Sequence, residues 1–468
     1  MSALGLAALL LACTPATLRV MVFNVEYGGD LVDFGKTIEA IQRAEPDVVL
    51  IEEAWGHIPR LAAALGWPEH DIRHQVLSRR PLLDPPDADA RYLFVETTPG
   101  CVVAVANVHL PSDPGVADVL RRGRSVEEAM EVERRSRLRA LEPTLAALAP
   151  FVRSGMPVLL GGDFNARSHL DPPLHPWPTS RAIAAAGFKD VYRGAHPDAV
   201  AKPGHTWWAA RPQVPGWNPS PTAAQTRIDQ LHAAGPVRVS DAKVVGEGGR
   251  PGVDIGVSPW PSDHRAIVAT LELVPSAAPV LVTAWPQRVV RGEPLRVRSR
   301  ATDPGARVVL VPRGVDPASI SAAREATRVD LEYPTRDLPA GAYEIVVLDT
   351  GGRGGVTASF WVAEKNSPPV VALAGASIRS GMPLEARWSN APGNRWDWVG
   401  VYPDGIDPKA DASEPLLWRH TRATVEGVAR LDATAEGPGW PLKPGAYRLF
   451  LFEDDAYAPL ADAPFRVD

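Results

Sequence analysis

PVLLGGDFN (157–165) and PWPSDHRAIVATLEL (259–273) decide how this chain is read. Each joins an apolar, β-branched run to a cluster of carboxylate, amide or imidazole groups. Asp163 and Asn165 close the first, and Asp263 and His264 open the second. A short apolar run bounded by Gly or Pro is the pattern of a buried strand. Polar groups just beyond such strands gather on one rim when the strands share a sheet, and catalytic sites are built at such rims.

Working outward, the same arrangement recurs. LRVMVFN (18–24) ends in Asn24, PDVVLIEE (46–53) ends in Glu53, and CVVAVANVHL (101–110) carries His109 near its end. RHQVLS (73–78) reads as a further strand, and Asp229 sits in RIDQLH (227–232). Residues 34–44 (FGKTIEAIQRA) and 116–148 have helical spacing. Strands alternating with helices imply an α/β domain. Taken singly, each polar residue has a plainer role. Asn24 could close a turn, Glu53 could be a solvated carboxylate, and His109 could be a satisfied core histidine. Asp163 could form an Asx turn after Gly161-Gly162, and Asp263-His264 could cap an element. Their joint occurrence in this order points to a site.

The texture changes after Val274. PSAAP (275–279) reads as a linker, followed by Pro- and Gly-punctuated strand without long helices. VVLVPRGVDP (308–317) parallels WVGVYPDGIDP (398–408), and LPAGAYEIVVLDTGG (338–352) parallels LKPGAYRLFLFEDDAY (442–457). Such a divergent repeat suggests two β-sandwich modules, with NSPP (366–369) as the joint.

The segments VFNVEY, PDVVLIEEAW, VLSRRPL, NVHLPSD, GGDFNAR, RIDQL and PWPSDHRA resemble, in order, the motifs of the endonuclease/exonuclease/phosphatase superfamily. The fold class expected is therefore α/β: a two-sheet α/β sandwich of deoxyribonuclease type, followed by two all-β sandwich domains. The resemblance implies two mixed sheets packed face to face with helices outside, and a magnesium or manganese ion at their edges. Mapped by motif, it implies that Asn24 and Glu53 hold the metal, with Asp263 nearby or joining through water. The spacing from Asp47 places Glu53, not Glu52, at that position. Hard oxygen ligands suit magnesium, which keeps waters for a substrate phosphate to displace. His264 would take a proton from water, with Asp229 holding its imidazole. Asp163 would orient the nucleophile or deliver a proton to the leaving oxygen, and Asn165 and His109 would contact the phosphoryl oxygens. Two departures bear on substrate contact rather than competence: RIDQL has Gln230 where relatives often carry an aromatic residue, and IEE replaces a common QE pair. The WVGVY and PGAYRLFLF pieces resemble those of SKICH and related immunoglobulin-like domains.

Composition sets outer bounds. A chain of 468 residues exceeds one ordinary core. With 45% hydrophobic and 22% charged residues it is globular rather than disordered. A net charge of −6 excludes a protein that coats nucleic acid electrostatically, but not a metallonuclease. The two cysteines, Cys13 and Cys101, imply that no disulfide framework is present. The apolar run 4–12 is too short to span a bilayer and reads as an export signal. Leu10-Leu11-Ala12-Cys13 resembles a bacterial lipoprotein box, in which a lipidated Cys13 would be the point of membrane attachment; a plain signal peptide or a misplaced start are the alternatives. The boundaries expected are 1–16 for this segment, 17–275 for the catalytic domain, and 279–365 and 369–468 for the two β modules.

Two further stretches have competing readings. HTWWAARPQVPGWNPSPT (205–222) could stack its tryptophans on a base or sugar, dip them into lipid, or pack them on the domain's own flank. Arg121, Arg122, Arg124, Arg134, Arg135, Arg137 and Arg139 could meet phosphates or form the solvated face of a helix, with Arg135 the one to watch. The function expected is an exported, divalent-metal-dependent phosphoesterase, periplasmic or at the cell surface. Its substrate is either nucleic acid or a phospholipid or inositol-phosphate head group, and no obligate protein partner is evident. The rival is a catalytically inactive domain that displays the β modules to a partner.

Overall fold

The structure is a computed structural model that describes residues 13–468 apart from 86–87, 215–224, 304, 320–323, 326–327, 376 and 410–413. The apolar run 4–12 lies outside the described residues.

Strands β1 (Ala16–Asn24) and β2 (Val48–Glu52) lie parallel. Successive side chains of a strand point to opposite faces, and here both faces are buried. Leu18, Val20, Val22, Val48 and Leu50 enter one core, while Met21, Phe23, Val49 and Ile51 enter another. That double burial is why both runs are apolar without alternation. Between them, helix α1 (Phe34–Ala44) starts at Asp33, whose side chain accepts from the amides of Gly35 and Lys36. Its apolar stripe, including Ile38 and Ile41, covers the outer face of β1 and β2.

The strands that follow are β3 (Glu69–Asp71), β4 (Val76–Ser78), β5 (Leu82–Leu83), β6 (Leu93–Thr98), β7 (Cys101–His109), β8 (Val158–Asp163), β9 (Lys189–Asp190), β10 (Asp229–Ala234), β11 (Val237–Glu247), β12 (Ile255–Val257) and β13 (Ala266–Leu273). One sheet runs β12-β11-β13-β1-β2-β4-β3 and the other β5-β6-β7-β8-β10-β9. Val103, Val105 and Leu159 share the first core with Val20 and Leu50 of the opposite sheet. Their neighbours Val102, Ala104, Val158 and Leu160 face away, toward the helix Arg139–Ser154. Burying each such side chain stabilises the fold by about 2 kcal/mol.

The glycine pair of GGDFN is required by this packing. A Cβ on Gly161 would lie 2.6 Å from Leu50 Cδ1 of the facing sheet. Gly162 has φ +136°, and a Cβ there would meet the Val108 carbonyl oxygen at 1.8 Å. Only glycine lets β8 approach this closely and still deliver Asp163 to the sheet end.

Beyond residue 280 a three-stranded sheet (Leu281–Trp285, Pro294–Arg300, Arg328–Pro334) shares a core with a five-stranded one (Arg288–Val290, Gly354–Ala363, Gly341–Leu348, Arg307–Pro312, Arg324–Glu325). The same arrangement recurs with Val370–Leu373, Leu384–Ser389 and Gly427–Leu431 against Ser377–Ile378, Pro459–Val467, Gly445–Phe452, Trp398–Pro403 and Leu417–His420. The repeat in the sequence is thus a repeat of topology. The paired GAY segments keep even a side-chain bond: the Tyr343 hydroxyl donates to the Pro339 carbonyl at 2.9 Å and the Tyr447 hydroxyl to the Lys443 carbonyl at 2.8 Å.

Several expectations are corrected. Cys13 and Cys101 form a disulfide, so the chain does carry a bridge. PSAAP is not a loose linker, because Ser276 and Ala277 add to the edge of β7. The helical stretch from 116 is broken at Gly123 and restarts at Ser125 with a capping box to Glu128, then continues past 148 to Ser154. No helix among the described residues is long and apolar enough to cross a membrane.

Arginines fasten the C-terminal sheets to the first half. Arg296, Arg298 and Arg300 alternate along one strand and so share a face; the first two bind Glu69 and the third binds Glu96 in bidentate pairing. From the last sheets, Arg395 donates to the Asn107 carbonyl at 2.6 Å.

Candidate active site

Topology alone brings the polar strand ends together. β1 runs parallel to β2, with Asn24 opposite Glu52, and β7 runs parallel to β8, with His109 opposite Asp163. β10 runs antiparallel to β8, so its first residue, Asp229, also pairs with Asp163. Asp263 and His264 precede β13, which is antiparallel to β1. All eight residues singled out in the sequence (Asn24, Glu53, His109, Asp163, Asn165, Asp229, Asp263 and His264) therefore lie at one end of the two sheets.

Hydrogen bonds then fix their aim. His264 Nδ1 lies 2.9 Å from Asp229 Oδ2. Its Nε2 faces Asp163 Oδ2 at 3.8 Å and Asp263 Oδ1 at 3.9 Å. Those separations exceed a hydrogen bond, so Nε2 is not committed to either carboxylate. Ser262 sets the turn, accepting from the His264 amide at 3.0 Å and donating to the Asn24 carbonyl at 2.8 Å. Asp163 Oδ1 accepts from the Asn165 amide at 2.8 Å, so the Asx turn is formed as well, and Oδ2 points into the site. Asn165 Nδ2 donates to the Leu110 carbonyl at 3.0 Å. Asn24 directs its amide nitrogen to Glu53 Oε1 at 3.0 Å and Asp163 Oδ2 at 3.3 Å, while its Oδ1 accepts from the Glu26 amide. A ligand role for Asn24 requires that amide to turn.

Electrostatics reflect the crowding of carboxylates. Burial raises the Asp163 carboxyl above its ordinary range and Asp229 raises it further, against the opposing pull of His264 and His109. Burial also raises Asp263, with Glu53 adding to the effect. Burial lowers the His264 imidazole, but Asp229, Asp263 and Asp163 together outweigh it and hold the ring well above the usual histidine value. Perturbed groups in a cleft of this kind are what catalytic sites require.

Some contributors were not singled out in the sequence. Glu52 is fully buried, and burial together with Asp229 and Asp163 holds its carboxyl well above the usual range; neither oxygen has a hydrogen-bond partner. Glu26 of VFNVEY accepts two bonds from Arg211 and one from the Asp263 amide, tying the tryptophan-rich segment to SDHRA. Trp207 donates to Asp263 at 3.4 Å. Trp217 lies outside the described residues. Arg135 is exposed and paired with Glu131, whereas Arg137 is the buried arginine of that helix, donating to the Ser112, Pro114 and Asn165 carbonyls. The residue to watch is thus Arg137, which braces the Asn165 loop. Gln230 donates to the Ala166 carbonyl at 2.8 Å and bonds His232, bracing the same loop from the other side.

The described family called Endonuclease/Exonuclease/phosphatase family matches residues 21–264, slightly more than half of the chain. The uncharacterised Caenorhabditis elegans protein F14F9.5 is 26% identical over 254 residues, 47% of this chain and 79% of that protein. Among solved structures, the endonuclease/exonuclease/phosphatase from Beutenbergia cavernae DSM 12333 is 20% identical, covers 74% of this chain and 99% of its own, and has a TM-score of 0.35. The Bacteroides thetaiotaomicron VPI-5482 mannosyl-6-phosphatase Bt3783 is 15% identical, covers 54% and 99%, and has a TM-score of 0.34. The matched segment, residues 21–264, holds every polar strand end described above. This chain belongs to the endonuclease/exonuclease/phosphatase family of phosphoesterases.

Proposed function

We propose that the protein is a divalent-metal-dependent phosphodiesterase that hydrolyses its substrate by attack of water on phosphorus. The observation that carries this reading is the Asp229–His264 pair, 2.9 Å apart, with the free imidazole nitrogen turned toward Asp163 and Asp263. Asp229 holds the imidazole with Nδ1 as donor, and His264 Nε2 takes the proton from water. Asp163 orients that water or protonates the leaving oxygen, and Asn165 and His109 contact the phosphoryl oxygens as charge builds on them.

The donor set suits magnesium, with manganese as the alternative. Glu52, Glu53, Asp163, Asp229 and Asp263 lie at the same sheet ends, and after burial itself the charges of Asp229, Asp163 and Glu53 hold the Glu52 carboxyl well above its usual range against the pull of His264, a crowding of carboxylates that a divalent cation would relieve. Glu53 and Asp263, with Asn24 after its amide turns, would hold the ion. Bound there, it would polarise the phosphoryl group and neutralise developing charge.

For substrate we favour a phospholipid or inositol-phosphate head group over nucleic acid. The net charge of −6 supports this choice, because a nucleic-acid backbone presents many phosphates to the surface where a head group presents one or a few. We further propose that residues 279–365 and 369–468 are two β-sandwich modules of immunoglobulin-like type following a catalytic domain at 17–275. Export is supported by the Cys13–Cys101 disulfide, since such bonds persist in oxidising compartments. The full set of polar strand ends argues against the inactive, partner-displaying alternative.

The test is hydrolysis of bis-p-nitrophenyl phosphate and p-nitrophenyl phosphate, with magnesium or EDTA, by wild type and Asp163→Ala. We expect metal-dependent turnover of the diester, reduced on the order of 10²-fold or more in the variant. Preference for the monoester would replace the diesterase reading with a phosphatase one. Turnover that survives EDTA, or an unimpaired variant, would sink the mechanism.

A further inference from the structure

The last strand pair delivers a loop to the active site. EDDAY (453–457) follows the strand Gly445–Phe452 and is held by a buried carboxylate. Asp454 Oδ2 accepts from the Gly56 amide at 2.7 Å, and Oδ1 accepts from Gln75 Nε2 at 2.6 Å. The Asp454 and Asp455 amides donate to Asp397 Oδ1 at 3.1 Å and to the Trp396 carbonyl at 3.0 Å. Both residues adopt left-handed φ values, 50° and 62°. That conformation costs about 1 kcal/mol at a non-glycine position and persists only where the surroundings over-determine it.

What the clamp holds in place is Asp455. Its Oδ2 lies 3.9 Å from His109 Nδ1, and its Oδ1 lies 3.7 Å from His420 Nε2. His420 meets both Trp396 and Trp418 edge-on, with ring centroids at 5.4 and 5.1 Å. On its other nitrogen, His109 Nε2 faces Asp163 Oδ2 at 3.8 Å. A carboxylate from the C-terminal sheets therefore sits on the far side of an imidazole whose near side looks into the catalytic cleft. Beside it, Tyr457 approaches Trp55 at 6.0 Å between centroids, and Trp55 packs on Tyr27, whose amide donates to Glu53.

We propose that Asp455 is a positioning residue of the active site, supplied by the C-terminal sheets, that orients His109 so that Nε2 addresses the substrate phosphoryl group. The inference rests on the phosphoesterase reading for the role of His109, but not for the pairing itself. A small side-chain rotation closes the gaps of 3.7 and 3.9 Å to hydrogen-bond distance. The physical logic is that of any carboxylate behind an imidazole: it fixes the ring plane and the proton on the nitrogen it faces. His420, held by its two tryptophans, keeps Asp455 from swinging away.

The experiment compares the full chain with Asp455→Ala, Asp455→Asn and Asp455→Glu, assayed on bis-p-nitrophenyl phosphate with magnesium. Loss of such an orienting partner lowers activity roughly 10- to 100-fold. The expectation is a fall of that size in kcat for the Ala variant with KM nearly unchanged, and partial rescue in the Glu variant. Equal kcat in the Ala variant and wild type overturns the proposal while leaving the phosphoesterase reading intact. Should the Ala variant not fold, the Asn variant, which keeps the side-chain shape, takes its place under the same criterion. Should wild type be inactive on the diester, the pairing is read from long-range 1H–15N spectra of histidine-labelled protein. Signals of His109, assigned with His109→Gln, must move in Asp455→Asn; if they stay in place, the proposal is wrong.

Discussion

The Asp229 carboxylate, with both oxygens facing His264 Nδ1 at 3.1 and 2.9 Å, decides which proton the imidazole carries. Asp229 has no exposure and its carboxylate meets Nδ1 at 2.9 Å, so it can only accept from that nitrogen. Asp229→Asn keeps the shape but offers an N–H instead, which favours the opposite tautomer and spoils Nε2 as a base. We expect kcat to fall on the order of 10²-fold or more with little loss of thermal stability. The pH profile supplies a second check. Burial lowers His264, and Asp229, Asp263 and Asp163 more than reverse this, so its folded-state pKa lies above the ordinary value. A base must be deprotonated, so the rate rises with pH through that raised value. Asp229 is the largest cause raising it, and Asp229→Asn should move the acid limb to lower pH. An unmoved limb in steady-state rates would show that His264 is not the base.

At the scale of elements, the loop 453–457 is the feature with the clearest pH signature. Burial lifts the Asp454 carboxyl to about 7, against the lowering effect of its bonds from Gln75 and Gly56, and its acidic neighbours Asp455 and Glu453 add to the rise. A folded-state value above the unfolded one means that the native contact favours the protonated form. Its contribution is fully present below the unfolded value of 3.8 and is lost as pH rises through about 7. Hydrogen-exchange protection of residues 453–457 should therefore decline between those values, and Asp454→Asn should flatten the decline. A wild-type profile as flat as that of the variant would remove this account. The contrast with the strand ends explains what the sequence could reveal. Asn24, Asp163 and His109 close apolar runs, so period and position announce them, and helix 34–44 carries its own cap and stripe. Asp455 is legible only as one acid in EDDAY, because its partner His109 is more than three hundred residues away in the chain, and no local pattern encodes such a meeting. Arg137 was hidden for a related reason. It shares a helix with several exposed arginines, and the π-turn Arg134–Leu138 rotates the face on which helical spacing would place it. Glu26 stood inside a quoted motif, yet its importance depends on Arg211, which arrives from a distant loop.

For the whole molecule, the first strand is anchored at its outer end by a covalent bond rather than by packing alone. Cys13 precedes β1 in one sheet, and Cys101 opens β7 in the other, so the bridge ties the two sheets across a separation of 88 residues. The two thiols looked unrelated in the sequence because neither sits in a spacing that specifies a partner; only the face-to-face packing of the sheets brings them together. Closing a loop of that length removes conformational freedom from the unfolded chain worth about 4.6 kcal/mol in the chain-entropy account. The bond lies opposite the strand ends that carry Asn24 and His109, so its loss should leave the site geometry intact. Replacing both cysteines by serine avoids leaving a lone thiol and should lower the midpoint of thermal unfolding by roughly 10 °C. Diester hydrolysis at low temperature should be close to that of wild type. Wild-type protein unfolded under reducing conditions should match the double variant. Equal midpoints for wild type and variant under oxidising conditions would show that the packed cores, not the bridge, hold the sheets together, and would take away the disulfide's support for an oxidising compartment.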